Sequence, residues 1–232
     1  MSTFTSLETP LGSLRVDTKG VSPLTAASDL IASGSFSPLR KDTDIAEHSL
    51  EMHMPYLRHV FRRHDVCVVP IAVGVLRNSG ACADALAELL SDASTAAVIS
   101  SDFCHWGLRF RYTRYQAPGT RAISLDTQTP PSVYAKYPIF KSIADLDQDA
   151  LRVIAIEDGD AQQAAEDFAD YIHDTRNTIC GRSPILLLLH TLARMDTKYS
   201  CKLMRYEQSG TCRSAADSSV SYASVVIQAR SA

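Results

Sequence analysis

The chain has 232 residues, 45% of them hydrophobic and 21% charged, with a formal net charge of −3. This is the composition of an ordinary globular protein, long enough to bury a sizeable core without covalent staples. The slightly acidic balance argues against a general pull toward nucleic acid or an anionic membrane surface.

The six cysteines are scattered, with no CxxC pair and no secretory leader ahead of them. Free thiols in a reducing compartment are therefore expected rather than a disulfide framework. No apolar run, residues 185–189 included, approaches the length needed to cross a bilayer. A cytoplasmic location is expected, with the nucleus as a second compartment, and neither nucleic-acid binding nor membrane insertion.

In chain order, the first forty residues alternate short apolar pieces with Ser, Thr, Gly and Pro. Leu14-Arg15-Val16 reads as a short strand, and residues 25–32 as a helix ending near Gly34. From Asp44 the periodicity becomes helical: Ile45, His48, Met52, Tyr56 and Val60 recur on one stripe, behind a cap at Thr43 or Asp44. Pro55 should kink or split that helix. The run VCVVPIAVGVL, residues 66–76, is β-branched and continuously apolar, like a strand buried on both faces, with Pro70 marking a bulge or an edge. A helix capped at Asn78 or Ser79 follows, with Cys82, Leu86, Leu89 and Leu90 on its apolar face, and residues 96–100 read as another strand. Strand, helix and strand with short connections predict a βαβ unit.

Residues 116–136 are rich in Pro, Thr and Ser and lack periodicity, which predicts a surface loop or insertion. A short helix is expected around Ile139, Phe140 and Ile143. A clearer one, capped by Asp160, runs through Ala161, Ala164, Phe168, Tyr171 and Ile172. Ser183-Pro184 reads as a helix start, and ILLLLHTLARM behind it as a buried helix. Residues 199–206 and 219–228 read as closing strands. The whole chain, 1–232, is expected to form one α/β domain without a linker.

Four stretches carry candidate chemistry. In TAAVISSDFCHWG, Asp102 and His105 fall just beyond a predicted strand end, where open α/β sheets bind ligands. A carboxylate and an imidazole three residues apart suit a divalent metal or an acid/base pair. The plainer alternative is a capping aspartate and a histidine bonded to a backbone carbonyl. EHSLEMHMPYL places Glu47 beside His48. This is not the zinc-protease motif, which needs histidines four apart, and a core histidine satisfied by Glu explains it as well as an acid/base pair does. RFRYTRY interleaves Arg109, Arg111 and Arg114 with aromatics, either to capture an acidic or phosphorylated peptide or as a solvated face with cation–π contacts. NTICGRSP brings Cys180 and Arg182 to a helix N-terminus, an anion-friendly position, and Cys212 lies in a Gly/Ser turn before the last strand.

Together and in this order, EHSLEMHMPYL, SSDFCHWGLRFRY, NTICGRSPI and DSSVSYA resemble the Memo (mediator of cell motility) family, from about Thr9 to the C-terminus. The resemblance implies the fold of class III extradiol dioxygenases: α/β, with a mixed, mostly parallel central sheet flanked by helices. It implies a role in signalling, cytoskeletal control and cell motility, and a phosphotyrosine-containing or acidic peptide of a signalling protein as partner. It also implies a copper or iron redox site, onto which Asp102, His105 and Cys212 map, with Glu47, His48, Cys180 and Arg182 lining the pocket. A PHAGY-type motif and a Ser-His-His motif supply two further metal histidines in the family, and neither occurs here. The site is thus expected to be incomplete, with an absence of metal as the alternative. Two rival functions stay open: a non-haem iron dioxygenase-like oxidoreductase, and a phosphopeptide-binding adaptor without catalysis.

Overall fold

The computed structural model describes residues 1–17, 30–76, 79–156 and 160–230. It divides into two compact units, residues 1–100 and 101–232, each taken here by itself. No helix among the described residues is long and apolar enough to cross a membrane.

The first unit holds a small sheet of β1 (Ser6–Leu7), β2 (Leu14–Val16) and β3 (Cys67–Val68) in that order. Leu14 and Val16 turn inward and Arg15 outward, the period-two alternation of a half-buried strand. β1 pairs antiparallel with β2, and β2 pairs parallel with β3. The long apolar run thus contributes two residues of strand, not eleven. Pro70 has no N–H for a ladder, and its carbonyl instead accepts from the Ser2 amide at 3.1 Å. Residues 71–76 and 96–100 carry no strand, so the predicted βαβ unit is not formed among the described residues. Its helix is present as Ser79–Leu90, with Leu86 and Leu89 packed on a cluster around buried Met1 and Leu30. Nor is the run buried on both faces, since Cys67 is exposed and Val75 is 87% exposed; an apolar run becomes a strand only where a neighbour offers a ladder. Asn78 and most of the helix predicted over residues 25–32 lie outside the described residues; residues 30–32 are helical.

The helix predicted from Asp44 is split into α1 (Lys41–Ala46), a 3-10 turn (Glu51–His53) and α2 (Met54–Val60), with α3 being Ser79–Leu90. Pro55 sits in the first turn of α2, where its missing N–H costs nothing. The stripe predicted to face a core does not: Ile45, Met52, Tyr56 and Val60 are each more than 60% exposed. Asp44 caps no helix start; its carboxylate accepts from the Ser2 hydroxyl and the Thr3 amide at 2.8 and 3.0 Å.

The second unit contains β4 (His105–Trp106), β5 (Arg114–Tyr115), β6 (Ile123–Ser124), β7 (Tyr199–Gln208) and β8 (Ser219–Ala229), with helices α4 (Ile139–Val153), α5 (Ala161–Thr175) and α6 (Arg182–Leu192). β7 and β8 form the predicted closing hairpin, antiparallel with an irregularity between Leu203 and Arg205. β4 adds to the start of β8 in the register His105 to Val220 and Trp106 to Ser219. β5 and β6 pair antiparallel, so the predicted loop over residues 116–136 contains a strand and is anchored by buried Leu125. Among the described residues, β2–β3 is the one parallel pair. The class is mixed α/β, and a mostly parallel central sheet is not seen.

Around the N-termini of the helices, Asp160 caps α5 as predicted, accepting from Gln163 N at 2.9 Å. α6 starts at Arg182 with Gly181 as its cap, so Ser183 is inside the helix and caps nothing. Its inner side buries Ile185, Leu187, Leu189, Thr191 and Leu192.

Gly107 closes β4 with φ of 127°, a conformation that side-chain-bearing residues avoid. A Cβ there would lie 2.7 Å from Ser218 Cβ and 2.8 Å from the Asp217 carbonyl. Gly107→Ala is expected to cost about 2–4 kcal/mol through the combined strain and overlap. Urea unfolding of the variant checks this, and a change below about 0.5 kcal/mol would show that the segment relaxes freely.

Candidate metal centre

Two segments of the second unit build the site. Residues 103–106 are held by the start of β8: Phe103 N donates to Ser221 O at 2.8 Å and Ser221 N to Cys104 O at 3.0 Å. Residues 178–181, the approach to α6, lie alongside. The Thr178 hydroxyl accepts from His105 N at 2.8 Å and donates to His105 O at 3.0 Å. Cys180 N donates to Asp102 O at 3.3 Å, and Gly181 N to Ser101 Oγ at 3.1 Å. These bonds meet, across the seam, backbone polar groups that a loop would otherwise leave to water.

The seam brings Asp102, His105 and Cys180 together. One donor atom from each, a carboxylate oxygen, an imidazole nitrogen and a thiol sulfur, lies within 4.8 Å of the others. His105 Nε2 is buried and has no hydrogen-bond partner; Asp102 Oδ2 is 3.6 Å away. An orphaned buried imidazole nitrogen is uncommon and calls for a partner. The ring is fixed edge-on to Phe110, centroids 5.2 Å apart, and the Arg109 guanidinium lies 4.4 Å over that same Phe110 ring. Asp102 N donates to Cys180 Sγ at 3.0 Å. Asp102 and His105 do not meet through a helical turn, as their three-residue spacing suggests, because His105 opens a strand.

The family resemblance maps Cys212 onto the site with Asp102 and His105; among the described residues, the sulfur within 4.8 Å of their donor atoms is that of Cys180. Cys212 is fully buried, and burial, aided by nearby Asp217, pushes its thiol up to about 11. Its carbonyl accepts from Phe140 N at 3.1 Å, at the start of α4. Arg182 is turned back onto the Ile179 carbonyl at 3.4 Å. Cys104 is a core residue: burial raises its thiol well above the ordinary range, with buried Asp147 adding to the effect.

Glu47 and His48 belong to the first unit. Glu47 caps a turn, accepting from Ser49 N at 2.9 Å, from the Ser49 hydroxyl, and from Leu50 N at 2.7 Å. Burial pushes its carboxyl up, but these hydrogen bonds and the neighbouring His48 outweigh it and hold it below the usual range. With Glu8, Asp44 and Glu51 it lines a cavity of about 170 Å³. His48 is exposed and is not the buried acid/base partner considered for it.

Asp147, which the sequence reading missed, lies beneath the seam. Projecting from α4 and fully buried, it accepts from Cys104 N at 3.2 Å, Asn177 Nδ2 at 3.1 Å and the Tyr206 hydroxyl at 2.9 Å, with Ser221 also bonded. It thus fixes the chain between Asp102 and His105, and also the residue just before Thr178. Asn177 Nδ2 reaches on to Tyr171 OH at 2.7 Å. The sequence signal was an aspartate in register with buried Ile143, Ala150 and Leu151 of α4, a polar residue on a core face that needs partners.

The chain matches the family described as Memo-like protein over residues 1–226. It is 36% identical to Protein MEMO1 of Xenopus tropicalis over 230 residues, covering 96% of this chain and 68% of that protein. It is likewise 36% identical to a MEMO1 family protein of Schizosaccharomyces pombe, covering 93% and 68%, and 33% identical to Protein MEMO1 of Homo sapiens, covering 96% and 68%.

Proposed function

The chain belongs to the Memo family, and on that premise we propose that it binds a redox-active transition metal, copper or iron, through Asp102, His105 and Cys180. The observation that carries this reading is the convergence of three unlike donors within 4.8 Å, one of them a buried imidazole nitrogen without a partner. Thiolate and imidazole favour copper, iron or zinc over magnesium or calcium, whose sites are all oxygen. Three protein ligands also leave room for a fourth, exchangeable one. When bound, such a metal supplies one-electron redox chemistry.

The chain's own residues hold and orient the donors. Thr178 fixes both backbone polar groups of His105, and Phe110 limits the ring's rotation. The Asp102 amide donates to the Cys180 sulfur at 3.0 Å and so orients it toward the other two donors. Asp147 keeps both segments in place from below. The donor set of one histidine, one carboxylate and one thiol differs from the two-histidine, one-carboxylate facial triad of iron oxygenases. That makes the dioxygenase reading, and with it the extradiol-type central sheet, the weaker one. A role in signalling and cell motility follows from the family resemblance and is proposed on that ground.

The test is metal uptake by the purified full chain after chelator treatment, with copper and iron titrated under reducing conditions. About one equivalent is expected to bind to the wild type, and His105→Ala is expected to weaken binding roughly 100-fold. Wild type and variant taking up equally little metal, or equally much, would refute the site.

A further inference from the structure

The motif RFRYTRY has a second destination, away from the triad. The sequence groups Arg109, Arg111 and Arg114, but the structure separates them: Arg109 covers Phe110, whereas Arg111 and Arg114 are joined by Arg176 around one cavity of about 550 Å³. The three arginines come from different places: the residue after the 3-10 turn Leu108–Phe110, the strand β5, and the cap of α5. Among the described residues, no carboxylate lies within ion-pair distance of any of the three. Asp174, which also lines the cavity, pairs with His173 at 3.1 Å, and Arg114 reaches only Gln116 Oε1, at 3.3 Å. The chain as a whole is acidic, so three guanidinium groups left without carboxylate partners around one hollow are not a by-product of general basicity.

Backbone geometry points the same way. Arg111 has φ of 57° and Arg176 φ of 55°. Both are left-handed caps, where glycine would be the unstrained residue. Keeping a long cationic side chain at both caps sacrifices stability, which is understandable where the side chain has a task. The rest of the lining is partly apolar: Leu108, Ala122 and Ile123 form a floor beside the Tyr112 ring, whose hydroxyl is tied to the Thr175 carbonyl at 2.9 Å. This tie joins the β5 side of the cavity to the end of α5. The volume is in the range of small-molecule sites. Planar guanidinium forks match phosphate oxygens, and an apolar floor suits the organic body of an ester.

We propose that the cavity bounded by Arg111, Arg114 and Arg176 is a binding site for a small organic phosphate, with the phosphate on the guanidinium groups and the organic body over Leu108, Ala122 and Ile123. This site is separate from the metal-binding triad and does not depend on it.

The test uses the full chain with 1-naphthyl phosphate, 1-naphthol and inorganic phosphate, followed by calorimetry and naphthyl fluorescence. The ester is expected to bind saturably and more weakly as salt rises. Naphthol should bind negligibly, and inorganic phosphate should compete. Arg114→Gln and Arg176→Gln should each weaken the ester about tenfold. Arg111→Lys, which retains charge but loses the fork, should weaken it less than Arg111→Gln. Arg109→Gln should leave binding unchanged, and circular dichroism should be the same for all variants. Inorganic phosphate binding as tightly as the ester would assign the site to the free anion and overturn the role of the floor. No saturable binding, equal binding of naphthol, or an Arg109→Gln loss as large as that of Arg176→Gln would overturn the site itself.

Discussion

Asp147→Ala is expected to destabilise the second unit by about 3–5 kcal/mol, with the loss read by urea unfolding. The carboxylate meets the Cys104 amide, the Asn177 side-chain amide, the Tyr206 hydroxyl and Ser221 inside a fully buried space. Removing a shared acceptor leaves several donors in the interior unmet, at roughly 1–3 kcal/mol for each that finds no substitute. Hydroxyls can rotate to other acceptors, as Tyr206 already can toward Ser221 Oγ at 3.2 Å; the two amides have less freedom. Asp147→Asn keeps one acceptor and should cost less, about 1–2 kcal/mol.

The same pair of proteins predicts a pH dependence. Burial raises the Asp147 carboxyl, and the hydrogen bonds offset this only in part. The folded state therefore keeps the proton to higher pH than the unfolded chain, whose aspartates titrate at about 4. Within that window the folded state binds more protons, so this group's contribution is greatest below about pH 4 and declines as pH rises to the folded-state value. Unfolding free energies of wild type and Asp147→Asn, measured at several pH values, should show that decline in the wild type alone. Parallel profiles would mean that Asp147 is not the titrating group.

The second large effect separates the two cysteines. Cys180→Ser is expected to weaken copper or iron binding roughly 100-fold and to abolish any thiolate-to-metal absorption, while changing stability by less than about 0.5 kcal/mol because the side chain is exposed. Cys212→Ser should do the reverse. Its sulfur is fully buried, so a hydroxyl there costs about 1–3 kcal/mol, while metal affinity is unchanged. A metal ligand must give up its proton, and burial makes that harder for Cys212, whose thiol is pushed up to about 11. Metal titration and urea unfolding of both variants decide the matter. If Cys212→Ser lost metal and Cys180→Ser kept it, the triad would have to be redrawn.

How much was legible in the sequence differs from element to element. The Asp160 cap and the closing hairpin were readable because their signals are local: a side chain three residues from the amide it caps, and two strand-like runs either side of a Gly/Ser turn. The strand predicted over residues 66–76 was not. Continuous apolarity names neither a ladder partner nor a covering layer: the ladder stops at Val68, just before Pro70, and Val75 is 87% exposed. The stripe from Ile45 to Val60 shows the complementary failure. Helical spacing is visible in sequence, but which face is covered depends on partners the spacing does not name.

For the site, the sequence by itself determined the family, through four ordered motifs, and nominated Asp102 and His105 as a pair. Tertiary structure alone decided which cysteine joins them. Cys180 and Cys212 are 78 and 110 residues from Asp102 in the chain, and nothing in the spacing ranks one above the other. The ranking comes from backbone hydrogen bonds along the Thr178–Gly181 seam, which carry Cys180 to the triad, and from the packing around α4 that buries Cys212. The partners of Asp147 and the place of Arg176 at a cavity were not legible for the same reason. The role of a buried carboxylate or of an arginine at a cavity is set by neighbours distant in sequence, and a one-dimensional pattern records only neighbours three or four residues away.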